Sequence, residues 1–243
     1  MRNSERFETT FNRIHELLCQ YANVVNTHVS FTEVLDKASD LHIIIDKHAD
    51  LLKQCSKLRN AMIHRKVKQN FYIAEPHDDI VEELVEIAEI LANPPLAIQY
   101  ASKPVEYFET TTTVMHVLKV INSKSFSQFP IYDSNNCIGL ITDGGMLRWF
   151  AEKSADVLSY DFQQAQIQEV VAFEKESNVA FISKQATIFD AQSVFQQYME
   201  NKKKLEAIII TDNGKPNSLP IGLISSWDLI KLKLRTFPLL NHT

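Results

Sequence analysis

Two regions of this 243-residue chain place reactive side-chain types at spacings that matter. The first is the run Gly222-Leu223-Ile224-Ser225-Ser226-Trp227-Asp228, with an earlier counterpart in Gly139-Leu140-Ile141-Thr142-Asp143-Gly144-Gly145. In both, a strand-like glycine-apolar-apolar run delivers a hydroxyl to the start of a predicted helix. Unpaired N–H groups and the positive end of the helix dipole favour an anion such as phosphate there. The same Ser, Thr and Asp are also ordinary helix caps, each contributing about 1 kcal/mol with no ligand present. The second region is Lys53 to Lys68, with six basic residues and no acid. Within it Asn60 and His64 share a helix face, whereas Arg59 lies about 140° from His64 and must converge on them through its long side chain. Those bases are equally suited to ion pairing with the seven acids between Glu75 and Glu89.

Composition removes several functions. All five glycines lie after residue 138, and neither a P-loop nor a Rossmann glycine fingerprint is present. A nucleotide would therefore have to bind by other means. The formal net charge of -5 gives no global field for nucleic acid or a membrane surface. Cys19, Cys55 and Cys137 are odd in number and far apart, with no C-x-x-C, which points to reduced thiols and to no disulfide framework or metal site. Charges interrupt every apolar run of the N-terminus, and no run approaches the ~20 residues of a membrane span. The expected location is cytoplasmic, with no membrane partner.

The elements that must position these groups fall into two kinds. Up to about residue 92 apolar residues recur at helical spacing: Phe7, Phe11, Ile14, Leu18 and Tyr21 form one stripe. Ser30 with Glu33 is a capping-box pattern, and one long helix should follow it with Leu41, Ile45, His48, Leu52, Cys55, Arg59 and Met62 on its seam. His48 there is a core histidine. A further helix begins after Pro76 and His77 with Ile80, Leu84, Ile87 and Leu91 inward, and Asn93-Pro94-Pro95 stops it at a domain boundary.

From about residue 100 short strands alternate with helices, and the chain repeats itself. Val105-Glu-Tyr-Phe matches Val179-Ala-Phe-Ile, and Thr113-Val114 with Val117 matches Thr187-Ile188 with Ala191, both at an offset of 74. Pro130-Ile131-Tyr132-Asp133 matches Ile209-Ile210-Thr211-Asp212 at 79, and Gly139-Leu-Ile-Thr142 matches Gly222-Leu-Ile-Ser225 at 83. The offset grows only across loops such as Asn213 to Pro220, as insertions in a duplicated unit would. Each unit reads strand, helix, strand, strand, helix, with Asp212-Asn213-Gly214 as a turn signal in the second.

This repeat resembles the CBS domain, and the tandem resembles a Bateman module. The resemblance implies that clefts between the two units hold adenine nucleotides, with the Ser/Thr hydroxyl and helix N-terminus at phosphate and the Asp at ribose. Carried onto this chain it puts Ser225 at phosphate and Asp228 at ribose, facing the region of Ala101, Ser102 and Ile131, with Glu106 near the entrance. In the first unit Thr142 stands at phosphate, but the acid's place is Gly145, with Asp143 two residues early. Asn178, Val179 and Ala180 would face this incomplete end, so one functional cleft at most is expected, built around Asp228. Trp149 and Trp227 are assigned to core or dimer contacts.

Arg59-Asn60-x-x-x-His64, with Leu58 before it and an acidic apolar helix after Pro76, resembles the HEPN family of small helical bundles, over residues 1 to about 95. That resemblance implies a metal-independent endoribonuclease acting as a dimer. His64 would be the general acid or base, Arg59 would stabilise the phosphate and Asn60 would orient the two, while Lys57, Arg65, Lys66 and Lys68 hold RNA. Inactive members serve as dimerising or binding modules.

The expected fold is therefore α+β: an all-helical HEPN-like bundle over residues 1–97, then a CBS pair of βαββα units over 98–235, split into about 98–165 and 166–235, and a tail over 236–243. The expected function is a homodimeric regulatory protein. Its CBS pair binds an adenine-containing nucleotide (AMP, ADP, ATP or a cyclic dinucleotide) through Ser225, Asp228, Thr142, Ile131 and Ser102, and modulates the helical domain; no other cofactor and no metal are required. The alternatives are a toxin- or defence-type endoribonuclease acting through Arg59, Asn60 and His64, with RNA on the Lys53–Lys68 segment, and a noncatalytic dimeric scaffold with empty clefts.

Overall fold

The computed structural model describes residues 2–24, 29–64, 72–124, 126–156, 160–175 and 178–234. They divide into two compact units. One holds residues 2–95 and the last described turn of the chain, from Ile230; the other runs from Leu96 to Leu229.

The helical unit contains α1 (Asn3–Tyr21), α2 (Phe31–Leu41), α3 (Ile43–His64) and α4 (Asp78–Ala92). Phe7, Phe11, Ile14 and Leu18 of the predicted α1 stripe are all buried, and Tyr21 closes the helix end by donating its hydroxyl to the Leu91 carbonyl at 2.6 Å. Ser30 caps α2 by accepting from the Glu33 N–H. The single long helix expected after Ser30 is broken at His42, whose φ of -134° and ψ of 112° leave the helical region. His42 is buried edge-on against Tyr21, and the β-branched run Ile43-Ile44-Ile45 that follows does little to hold the helix continuous. One backbone serves both sides: the His42 N–H closes α2 on the Ala38 carbonyl, while its own carbonyl opens α3 by accepting from Ile45 and Asp46. The α3 seam is buried at Ile45, His48, Leu52, Cys55 and Met62. On α4 the inward face is turned slightly from the expected one, with Val81 buried in place of Ile80.

The α/β unit is two three-stranded sheets. In the first half β1 (Phe108–Glu109), α5 (Val114–Lys124), β2 (Gln128–Asp133), β3 (Asn136–Thr142) and α6 (Asp143–Lys153) follow in order. A short α7 (Ile167–Val171) leads to β4 (Val179–Ser183), α8 (Ile188–Glu200), β5 (Ala207–Thr211), β6 (Pro220–Ser225) and α9 (Ser226–Leu234). The sheets are ordered β1-β2-β3 and β4-β5-β6, each with one parallel and one antiparallel pairing. Their registers repeat: Phe108, Ile131 and Gly139 pair across the first sheet as Ile182, Ile210 and Gly222 do across the second. Even the irregularity repeats, falling between Ile131 and Tyr132 in one and between Ile210 and Thr211 in the other. A bulge kept at one point of two sheets is a feature of the repeated unit.

Each half is led into by a short segment that packs on the other half. The Ala97–Gln99 turn reaches the second half, where Leu96 pairs with Thr187 and Ser102 with Leu223 of β6. Conversely, Gln166, just before α7, pairs with Thr113 of the first half. The absence of a side chain at Gly222 follows from this exchange, because a Cβ there would stand 2.6 Å from Ile98 Cδ1 and 2.8 Å from Ala101 Cβ. The first-half core gathers Phe108, Phe129, Ile131, Ile141 and Trp149; Tyr132, Cys137 and Ile209 pack between the sheets.

Candidate functional site

The strand–helix junctions deliver the sequence-singled hydroxyls as expected, but what meets them differs. At the second junction Ser225 ends β6 and Asp228 lies in the first turn of α9. Asp228 Oδ2 accepts from the Ser225 N–H at 2.9 Å and from the Ser225 hydroxyl at 2.7 Å. This is the carboxylate half of a capping box, with the acid three residues into the helix reaching back to the residue before it. Both side chains are partly exposed, as is Trp227, at 62%. Ser102 arrives beside this junction through its backbone exchange with Leu223, 2.9 Å and 3.2 Å in the two directions. Ser225, Asp228 and the Ala101–Ser102 segment are thus brought to one end of β6.

Ile131 does not join them. It is fully buried in the first-half core, paired between Phe108 and Gly139, because an inward-pointing position on the central strand of a sheet is a packing position. Glu106 is engaged by Lys124. Trp149 is 2% exposed and packs in the core.

At the first junction Thr142 caps α6, its hydroxyl accepting from the Gly145 N–H at 3.2 Å. The acid that meets it comes from far along the chain. Glu174, in the connection after α7, accepts from the Thr142 N–H at 2.6 Å and from the Thr142 hydroxyl at 3.0 Å. Asn178 donates to the same carboxylate at 3.4 Å and to the Leu140 carbonyl at 2.9 Å. Arg148 lies 3.8 Å away, steadied by a hydrogen bond from its Nε to the Phe173 carbonyl. The Glu174 side chain is 7% exposed. Burial pushes its carboxyl above the ordinary value, and the Thr142 hydrogen bonds and the Arg148 charge only partly offset that. Gly145 makes the arrangement possible: a Cβ there would stand 1.7 Å from Glu174 Oε1.

Beside Glu174 the two halves leave a cavity of about 470 Å³, lined in part by Gly139, Leu140, Val171, Asn178 and Val179. That volume suits a small ligand. Asn178 and Val179, singled out from the sequence as facing the incomplete end, do line it; Asn178 itself is 4% exposed and held by Leu140 and Glu174. Glu174 was missed by sequence reasoning. Its only trace there is the unfilled space that Gly145 implies.

In the helical unit Arg59 and Asn60 diverge. Arg59 turns inward, its Nε buried and without a hydrogen-bond partner among the described residues, while Asn60 is exposed. Burial, and next the Arg59 charge, hold the His15 imidazole of α1 below its ordinary value. His64 ends α3 as described, and its side chain, like Arg65, Lys66 and Lys68, lies outside the described residues. Of the basic segment, Lys53 is paired with Asp36 of α2 at 2.8 Å, not with the acids of α4. His48 is buried, as a core residue should be, and desolvation pulls its titration down. Among the described residues no cluster of three or more His, Cys, Asp or Glu could hold a metal ion, and no helix is long and apolar enough to cross a membrane.

Comparison with known proteins bears on part of the α/β unit. Residues 97–152 match the family model of the CBS domain, so the chain carries a CBS domain in the first half of its α/β unit. Solved structures similar to the chain include a CBS domain-containing protein of unknown function from Kribbella flavida, 9% identical with a TM-score of 0.45 over 57% of this chain and 97% of that one. CBSX2 in complex with AMP is 15% identical, with a TM-score of 0.41 over 58% of this chain and 96% of that one. A conserved CBS domain protein of unknown function from Thermoplasma acidophilum is 17% identical, with a TM-score of 0.41 over 56% and 67%. No curated protein matches the chain.

Proposed function

We propose that the α/β unit is a sensor of an adenine-containing nucleotide and that its occupancy modulates the helical unit. The observation that supports this reading best is the Ser225–Asp228 pair, partly exposed at the N-terminus of α9 with Ser102 beside it. A hydroxyl and a helix N-terminus suit a phosphate, and a carboxylate suits the two hydroxyls of a ribose. To serve a ligand, Asp228 exchanges its bond from the Ser225 hydroxyl for bonds from the ribose, and Ser225 turns that hydroxyl to the phosphate. The exchange keeps every polar group paired, so it costs little. Modulation of the helical unit requires that the nucleotide bind two states of the protein unequally. A homodimer belongs to the same reading, supported by Leu147 and Phe150, which stand 69% and 52% exposed on α6.

The test is a melting-temperature panel with AMP, ADP, ATP and a cyclic dinucleotide on the full chain. A ligand at a hundred times its dissociation constant adds about 2.7 kcal/mol, a clear upward shift in the wild type and a smaller one in Asp228→Ala. No shift with any of the four would sink the reading.

A further inference from the structure

The two junctions are equivalent in backbone and register, yet they obtain their carboxylate differently. Asp228 belongs to the helix it caps. Glu174 does not: it is delivered from the connection after α7 onto the start of α6, where it takes hydrogen bonds from both the N–H and the hydroxyl of Thr142. Thr142 is the residue that offers a hydroxyl to an incoming anion in the first half, as Ser225 does in the second. The carboxylate also sits over Gly145, in the place a side chain on α6 would fill. Asn178 holds it from the other side, and Arg148 supplies a nearby positive charge. The adjoining cavity of about 470 Å³ therefore has room for the body of a small molecule, while the position suited to its phosphate is already filled by an anion of the chain.

We propose that Glu174 is a built-in occupant of the anion seat of the first cleft and bars phosphorylated ligands from it, so that the chain takes one nucleotide, at Asp228, and not two. A phosphate entering beside Thr142 would meet a carboxylate of like charge at contact distance, with little water between them to screen the repulsion. It would also lose the Thr142 donors, which Glu174 already occupies. Gly145 is the second part of the device, because any side chain there would evict the carboxylate.

This inference rests on the reading of the clefts as nucleotide sites, and two measurements separate the fates of the two. The first follows backbone amides of the isotope-labelled wild type during titration with AMP. The expected result is that the Ser225 and Asp228 amides move while those of Thr142 and Gly145 stay in place; Thr142 moving in step with Asp228 would overturn the proposal. The second counts AMP sites by calorimetry in wild type, Asp228→Ala, Glu174→Ala and the double variant. Glu174→Ala should gain a second equivalent, bound at least tenfold more tightly than any second binding by wild type, and the double variant should keep that equivalent alone. Adenosine, which lacks the phosphate, should show no such gain, and an equal gain with adenosine overturns the proposal. If wild type binds AMP through Asp228 and Glu174→Ala gains nothing, the sensing reading stands and the barrier falls. If only variants lacking Glu174 bind, the barrier stands and the Asp228 reading falls; if no form binds AMP, both fall.

Discussion

The two halves of the α/β unit share strand order, pairing register and the position of a bulge, and they part company at the first turn of the helix that follows. In the second half a carboxylate three residues into α9 caps its own helix. In the first half glycine occupies the equivalent place and a carboxylate arrives from a distant connection. A duplicated backbone thus presents the same donors twice. What those donors meet depends on one residue, Gly145, that contributes no atoms beyond the backbone. Equivalence of fold does not make two clefts equivalent in chemistry.

The comparison breaks most visibly at the glycines that stand three residues before each junction hydroxyl. Gly222→Ala pushes a Cβ into Ile98 and the Ala101 methyl, and Gly139→Ala meets Val171 at an ordinary 3.8 Å. Urea unfolding should show a loss of about 2–3 kcal/mol for the first, typical of overpacking, and a change within about 0.5 kcal/mol for the second. Equal effects would mean that the lead-in segments do not pack as described.

The hydroxyls come next. Ser225→Ala takes a hydroxyl donor from the partly exposed Asp228, which water can replace, and should cost about 1 kcal/mol. Thr142→Val removes a helix cap and takes a donor from Glu174, which is buried where water does not replace it, so about 2 kcal/mol is expected. Matching losses in the two variants would show that Glu174 is not held by Thr142.

The smallest effect is a pH dependence. Because the Glu174 carboxyl titrates above its ordinary value when folded, the native state holds its proton where the unfolded chain has lost it. Wild-type stability then falls as pH rises through the interval between the two values. Glu174→Gln lacks this contribution, so its melting temperature relative to wild type should climb across that interval and level off above it. A difference that is flat with pH, or falls, would show that ionised Glu174 is favoured in place.

Much of the α/β fold was legible in the sequence because duplication is internal evidence. Offsets of 74, 79 and 83 aligned Phe108 with Ile182, Ile131 with Ile210 and Gly139 with Gly222, and those positions are paired across the two sheets. The α1 stripe was legible for a different reason: a helix facing one core needs only periodicity. The break at His42 was not, since the spacing of the seam runs through it and the departure comes from a buried ring packed on Tyr21. Ile131 looked like a cleft residue by position in a motif, but it sits on the central strand of its sheet and is buried in the first-half core. Glu174 was the least legible. It lies in a connection without periodicity, 32 residues from Thr142, and local patterns do not report contacts made across such a distance. The empty position at Gly145 was visible, but not what fills it.

The exchange of lead-in segments bears on how the unit is made during synthesis. Ser102 is among the earliest residues of the α/β unit to emerge, yet its backbone partner Leu223 belongs to the last strand. The start of this segment can bond Ala186 once the second half begins, but Ser102 has no backbone partner until β6 exists, so the lead-in to the first half docks fully only at the end. Contacts of such long sequence separation slow folding. The duplicated halves are therefore not two modules that mature in turn: the first to be translated is completed only by the last to be translated, and a chain stopped before Leu223 would finish neither.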